Sequence, residues 1–93
     1  MRRAAKIDAN QPDIVKALVQ AGCSVRSLAA VGQGFPDLIV GRQGWNYLLE
    51  VKDGTLSPSK RALTEDEAEF HASWRGNVFI VNTVAEALEA VGL

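Results

Sequence analysis

Three side chains in the middle of the sequence, Asp37, Glu50 and Lys52, have the types and spacing for metal-assisted hydrolysis. Glu50 and Lys52 lie two residues apart, so on a strand they share one face while Val51 points to the other. The run Trp45–Val51 is strongly apolar, and charges seldom enter such a run without a partner. If residues 38–40 and 47–51 pair as an antiparallel hairpin through a turn at residues 42–44, Asp37 returns beside the Glu50 end. Two carboxylates then converge next to a lysine. Carboxylates that close repel, so they share a proton or hold a cation. Oxygen ligation selects a hard ion, Mg²⁺ or Mn²⁺, and the matching chemistry is attack of a metal-held water on a phosphodiester.

Such a constellation needs elements on either side to hold it. A first helix starts within residues 8–12, where Asp8-x-x-Gln11 and Asn10-x-x-Asp13 both have the capping-box pattern and Pro12 suits a first turn. Its apolar stripe is Ile14, Val15, Leu18 and Val19, and Gly22 stops it. Residues 23–30 read as a mostly buried strand, with Cys23 as a small core residue. The glycines of Val31-Gly32-Gln33-Gly34 let backbone approach a ligand or another strand closely. Two hairpin strands follow, then a polar, cationic loop over residues 55–62 that contains Lys60 and Arg61. This loop is either an exposed connector or a phosphate-contacting segment.

A second helix starts at Thr64, where Thr64-x-x-Glu67 makes a capping box and Leu63 can staple onto Ala68, and it ends near Gly76. Its spacing puts Glu67, Phe70, His71 and Trp74 along one face. Residues 77–82 read as a fully buried strand, and a last helix runs from Thr83 through Ala87, Leu88 and Val91 to Gly92. The order is helix, three strands, helix, strand, helix. Three strands in a meander followed by a helical crossover require a mixed sheet with helices on both faces, an α/β sandwich.

Ninety-three residues, 47% apolar and 23% charged, form one domain over 1–93. A net charge of −1 gives no overall attraction to nucleic acid, so DNA binding needs a local basic patch. Arg2, Arg3 and Lys6, the Lys60–Arg61 pair, and Arg42 and Arg75 singly are the candidates. One cysteine excludes an internal disulfide, and one histidine excludes a Cys/His zinc cluster. No apolar run approaches a membrane span, and no apolar segment follows the N-terminal arginines as a secretory signal requires. These features point to a cytoplasmic protein.

Pro36-Asp37 followed by Glu50-x-Lys52, behind one helix and ahead of a helix and a strand, resembles the PD-(D/E)XK nuclease core. More closely, Gly34-x-Pro36-Asp37-Leu38-Ile39-Val40, the run Tyr47 through Gly54, and Leu63-Thr64-x-Asp66-Glu67-x-Glu69-Phe70-His71-x-x-Trp74-Arg75-Gly76 resemble the small VRR-NUC domains of phages. The match covers nearly the whole chain, and its order and spacing carry the specificity.

The resemblance implies a restriction-endonuclease-like α-β-β-β-α-β core with a C-terminal helix, and a divalent-metal-dependent DNA endonuclease of phage or prophage origin. It implies Asp37 and Glu50 as ligands of Mg²⁺ or Mn²⁺, the Val51 carbonyl as a further ligand, and Lys52 as the catalytic cation. It also implies a homodimer, with two sites for two strands of branched or four-way DNA. Two departures stand out. Where many relatives carry a glutamate in the first helix, this chain has Asn10-Gln11 with Asp8 nearby, and Glu67 occupies the place of a frequent glutamine.

Each residue has a plainer reading. Asp37 suits a strand entry after proline, and Glu50 with Lys52 suits an exposed edge pair. Gln11 and Glu67 fit third positions of caps, and His71 suits a cover for the sheet beside Phe70 and Trp74. Trp45 and Trp74 suit a core or an interface. The site expected from these residues is Asp37, Glu50, Lys52 and Gln11, with Lys60, Arg61, Glu67 and His71 toward the substrate. The rival functions are a non-catalytic DNA-binding or assembly module on the same fold, and a metal-free protein-interaction domain.

Overall fold

The structure, a computed structural model, describes residues 7–93, so Arg2, Arg3 and Lys6 lie outside the described residues. The elements are α1 (Gln11–Gln20), β1 (Ser24–Ser27), β2 (Leu38–Arg42), β3 (Trp45–Val51), a 3₁₀ turn (Pro58–Arg61), α2 (Glu65–Ser73), β4 (Val78–Val81) and α3 (Val84–Ala90). They build one sheet in the order β1-β2-β3-β4. The first three strands are antiparallel and β4 runs parallel to β3. A parallel neighbour cannot be reached by a tight turn, and the crossover that reaches it carries α2.

The register of the central hairpin is set by its turn. Leu38 pairs with Leu49, Val40 with Tyr47 and Arg42 with Trp45, which leaves Gln43 and Gly44 as a two-residue turn. Both have positive φ, +52° and +82°, the I′ arrangement whose twist matches that of the strands.

Alternation then sorts the sheet into two faces. Leu38, Val40, Leu49, Val51 and Val81 lie in one cluster with Ile14 and Leu18 of α1, Ala87 of α3, and Val91 just beyond it. Burying each larger side chain contributes about 1.5–3 kcal/mol, which makes this cluster the main source of stability. Leu48 and Glu50 face the other way. There α2 approaches through Phe70, whose ring centroid is 4.9 Å from that of Phe35 and 4.8 Å from that of Trp74. No residue of α2 is fully buried.

Several elements differ from the sequence expectation. β1 is shorter than residues 23–30 and mostly exposed, because it is an edge strand. β4 is the other edge, and Phe79 and Ile80 are 39% and 45% exposed rather than fully buried. An apolar run does not reveal whether a strand will have one neighbour or two. Neither capping box at α1 forms: Asn10 is the N-cap without a side-chain cap bond, and its amide is used elsewhere. α2 ends at Ser73, ahead of Gly76, because Trp74 turns extended (ψ 129°). Part of the cationic loop is the 3₁₀ turn rather than irregular chain. Trp45 and Trp74 lie outside the core, at 64% and 44% exposure. Among the described residues no helix is long and apolar enough to cross a membrane.

Candidate active site

Asp37 is held where β1, β2 and β3 meet. Its carbonyl accepts from the Leu28 amide at 2.8 Å, and its own amide donates to the Leu49 carbonyl at 3.0 Å. Its Oδ2 accepts the Val51 amide at 2.7 Å. The backbone therefore brings the Asp37 carboxylate across to the Glu50 end of β3. Asp37 is thus tied by hydrogen bonds to Leu49 and Val51, the two residues that flank Glu50.

Glu50 is 1% exposed, an extreme position for an acid. Burial, the Asp37 hydrogen bond and charge, and the charge of Glu67 push its pKa up to about 10; Lys52 offsets only part of this. Its Oε2 lies 3.8 Å from Lys52 Nζ and its Oε1 3.9 Å from His71 Nε2. Both distances exceed hydrogen-bond length, and Oε1 and Nε2 are each buried without a partner. Burial holds the His71 pKa below its ordinary value, so the imidazole is neutral near pH 7.

Lys52 begins the departure from β3, and its amide donates to the Val81 carbonyl. Its ammonium turns to Glu67 Oε1 at 2.8 Å. Burial works against the charged amine, but the Glu67 bond and the charges of Glu67, Glu50 and Asp8 outweigh it and raise the pKa. Glu67 shifts the other way: burial raises it, and the bonds from Lys52 and the Thr64 amide prevail and lower it. The capping box foreseen at Thr64 is present in both directions.

Two residues that the sequence offers only as cap candidates and in the stretch set against the relatives' helical glutamate, and not among the expected site residues, lie close to this site. Asp8 stands in the field of Lys52, Asp37, Asp53 and Glu67, and burial raises its pKa. The stretch aligned with the relatives' helical glutamate was the only signal for it. Asn10 donates from Nδ2 to the carbonyls of Lys52 and Asn82, both at 3.0 Å. Those partners are 42 and 72 residues away, beyond any local pattern. Gln11 is buried with Oε1 unpartnered. Among the described residues no hydrogen bond or ion pair joins Gln11, Lys60 or Arg61 to Asp37, Glu50 or Lys52. Arg61 Nε donates to the Leu56 carbonyl, and Lys60 is exposed.

A cleft of about 260 Å³ is lined in part by Gly34, Asp37, Thr64, Asp66 and Glu67. A larger groove of about 620 Å³ lies toward Trp45 and Trp74 and holds none of the acids. Size favours the groove, but chemistry needs convergent polar groups, and those line the cleft.

No protein-family model and no curated protein matches the chain. A solved structure of a VRR_NUC domain aligns with 90% of this chain and 96% of its own length, with a TM-score of 0.64 and 24% sequence identity. This chain has the VRR_NUC fold. Its mixed four-stranded sheet is the restriction-endonuclease-like architecture that the motif resemblance implied. Within this VRR_NUC fold, Glu50 lies on β3, which pairs antiparallel with β2 and parallel with β4, and Asp37 immediately precedes β2.

The fit of a divalent ion can be judged from the donor set. Among the described residues no three His, Cys, Asp or Glu side chains are arranged to hold a metal. Mg²⁺ commonly takes only one or two protein carboxylates, with waters and substrate oxygens completing its shell. Asp37 and Glu50 supply that pair, and the buried, unpartnered Glu50 Oε1 is an acceptor that the protein itself leaves unsatisfied. The residues fit a hard cation.

Proposed function

We propose that this chain is a divalent-metal-dependent DNA endonuclease that hydrolyses phosphodiester bonds. The observation that carries the reading is the buried Glu50 carboxyl, with Asp37 bonded to the residues on either side of it and the Lys52 ammonium 3.8 Å away. An exposed edge pair would not bury a glutamate, and a structural ion pair would not add a second carboxylate. The shared fold with a VRR_NUC domain supports the same reading.

Asp37 and Glu50 would hold Mg²⁺ or Mn²⁺, with the Val51 carbonyl as a further oxygen donor, and an ion held there would supply Lewis-acid polarisation of the phosphodiester and activation of water. Lys52 places its ammonium where negative charge grows on the phosphoryl oxygens and orients the attacking water. Lys60 and Arg61, on the loop between β3 and α2, would contact the DNA backbone, and His71, 3.9 Å from Glu50, and the buried Gln11 would orient water or substrate. One such site cuts one strand, so the working form is a homodimer acting on two strands of branched or four-way DNA. The motif resemblance supports a phage or prophage source and, with it, action in the cytoplasm of a bacterial host.

The test is cleavage of plasmid and four-way-junction DNA by purified protein with Mg²⁺ or Mn²⁺. Activity is expected from the wild type and is expected to vanish in Asp37→Ala and Lys52→Ala. Activity that survives both substitutions defeats the assignment. Light scattering is expected to report a dimer.

A non-catalytic DNA-binding module is the second reading. The neutral amide of Gln11 where many relatives carry a glutamate, and the net charge of −1, favour it. Calorimetry separates the two, because only the nuclease binds Mn²⁺ through Asp37 and Glu50.

A further inference from the structure

Resting on the nuclease reading, we infer that Glu67 is a positioning residue: one of its carboxylate oxygens fastens Lys52 and the first turn of α2 together, and so closes the loop that carries Lys60 and Arg61. Glu67 Oε1 accepts from Lys52 Nζ at 2.8 Å and from the Thr64 amide at 2.9 Å. The Glu67 amide in turn donates to Thr64 Oγ1 at 3.2 Å. Lys52 is the residue at which the chain leaves β3, and Thr64 is the residue at which it enters α2. The same oxygen therefore grips both ends of the intervening segment, in which Pro58–Arg61 forms the 3₁₀ turn.

The need for such a clamp follows from the lysine. Its ammonium rides on a flexible four-carbon stem and has no fixed direction of its own. Glu50, one neighbouring anion, is 3.8 Å away, too far for a hydrogen bond, whereas Glu67 is at bonding distance. The Lys52 and Glu67 side chains are both mostly buried, at 13% and 17% exposure, so the pair is little screened by solvent. An ordinary capping box uses its acidic third residue only to satisfy a backbone amide. Here that residue also fixes the direction of the cation beside Glu50.

The backbone keeps this arrangement tight. A Cβ built on Gly34 would sit 2.4 Å from the backbone carbon of Asp66, so the loop before Asp37 lies directly against the turn that presents Glu67. The loop that carries Asp37 is thereby fixed against the Glu67 turn through backbone, and Lys52 is joined to the same turn through its ammonium.

The experiment compares Glu67→Ala with Glu67→Gln, whose amide oxygen can still accept both bonds. Glu67→Ala is expected to lower kcat by about 10- to 100-fold with KM changed less than about threefold, and Glu67→Gln to recover kcat to within about threefold of wild type, the pattern of a lost orientation. The accompanying readout needs no turnover. The Lys52 ammonium gives a slowly exchanging ¹⁵N signal in wild type and Glu67→Gln, and the signal is lost in Glu67→Ala. Wild-type kcat in Glu67→Ala, or a Glu67→Gln as impaired as Glu67→Ala, overturns the inference. If wild type cuts no DNA, the nuclease reading fails, and the ammonium signal alone decides whether Glu67 fixes Lys52.

Discussion

The Asp37 carboxylate accepts the Val51 amide at 2.7 Å, a side-chain bond inserted where the β2–β3 ladder would otherwise run out. One oxygen of Asp37 thus has a structural task, and the other is left for chemistry. The two tasks separate by substitution. Asp37→Asn keeps an acceptor for Val51 and is expected to fold with little loss. Asp37→Ala removes a charge-assisted bond and should lose about 1.5–3 kcal/mol in urea denaturation. Both should abolish Mn²⁺ binding by calorimetry, because neither retains the charge.

Glu50 makes stability depend on pH in an unusual direction. Its folded pKa, about 10, lies above its ordinary value of 4.5, so between those limits the folded chain holds a proton that the unfolded chain has released. The metal-free protein should therefore lose stability as pH rises through that window. Glu67, whose pKa is lowered, acts on the acid side: its contribution is present above 4.5 and is lost as pH falls through the lower folded value. Melting curves across pH 4–9 check the sign. Mg²⁺ should raise Tm more at pH 9 than at pH 6, since binding displaces the Glu50 proton. A Glu50→Gln variant should flatten the alkaline decline.

Gly34 has φ +76° and abuts Asp66, whose carbonyl oxygen would lie 2.5 Å from an added Cβ. Gly34→Ala should cost about 3 kcal/mol or more, by combining backbone strain with displacement of the α2 first turn. Differential scanning calorimetry would show the loss.

The hairpin turn offers the opposite change. Gln43 holds φ +52° without the local hydrogen bonding that makes asparagine tolerant of that region. Gln43→Asn should stabilise the chain by about 0.5–1 kcal/mol, read as a higher urea midpoint at unchanged slope.

Much of this molecule was legible in its residues. Strand parity alone put Glu50 and Lys52 on one face and Val51 in the core, and a turn expected within residues 42–44 between two apolar runs returned Asp37 to the Glu50 end, although the two-residue form of that turn and its register came from the structure. The cap at Thr64 was equally plain, because a capping side chain bonds residues three apart. Local hydrogen-bonding rules and alternation reach only a few positions along the chain, and these features lie within that reach. Tertiary structure alone decided that β1 and β4 are edges, that Asn10 ties down residues 52 and 82, and that Lys52 turns to Glu67 rather than to Glu50. Those outcomes depend on which elements become neighbours after the crossover. That choice is made by burial of the shared core between α1, α3 and the sheet, a sum over distant residues that no single stretch of sequence contains.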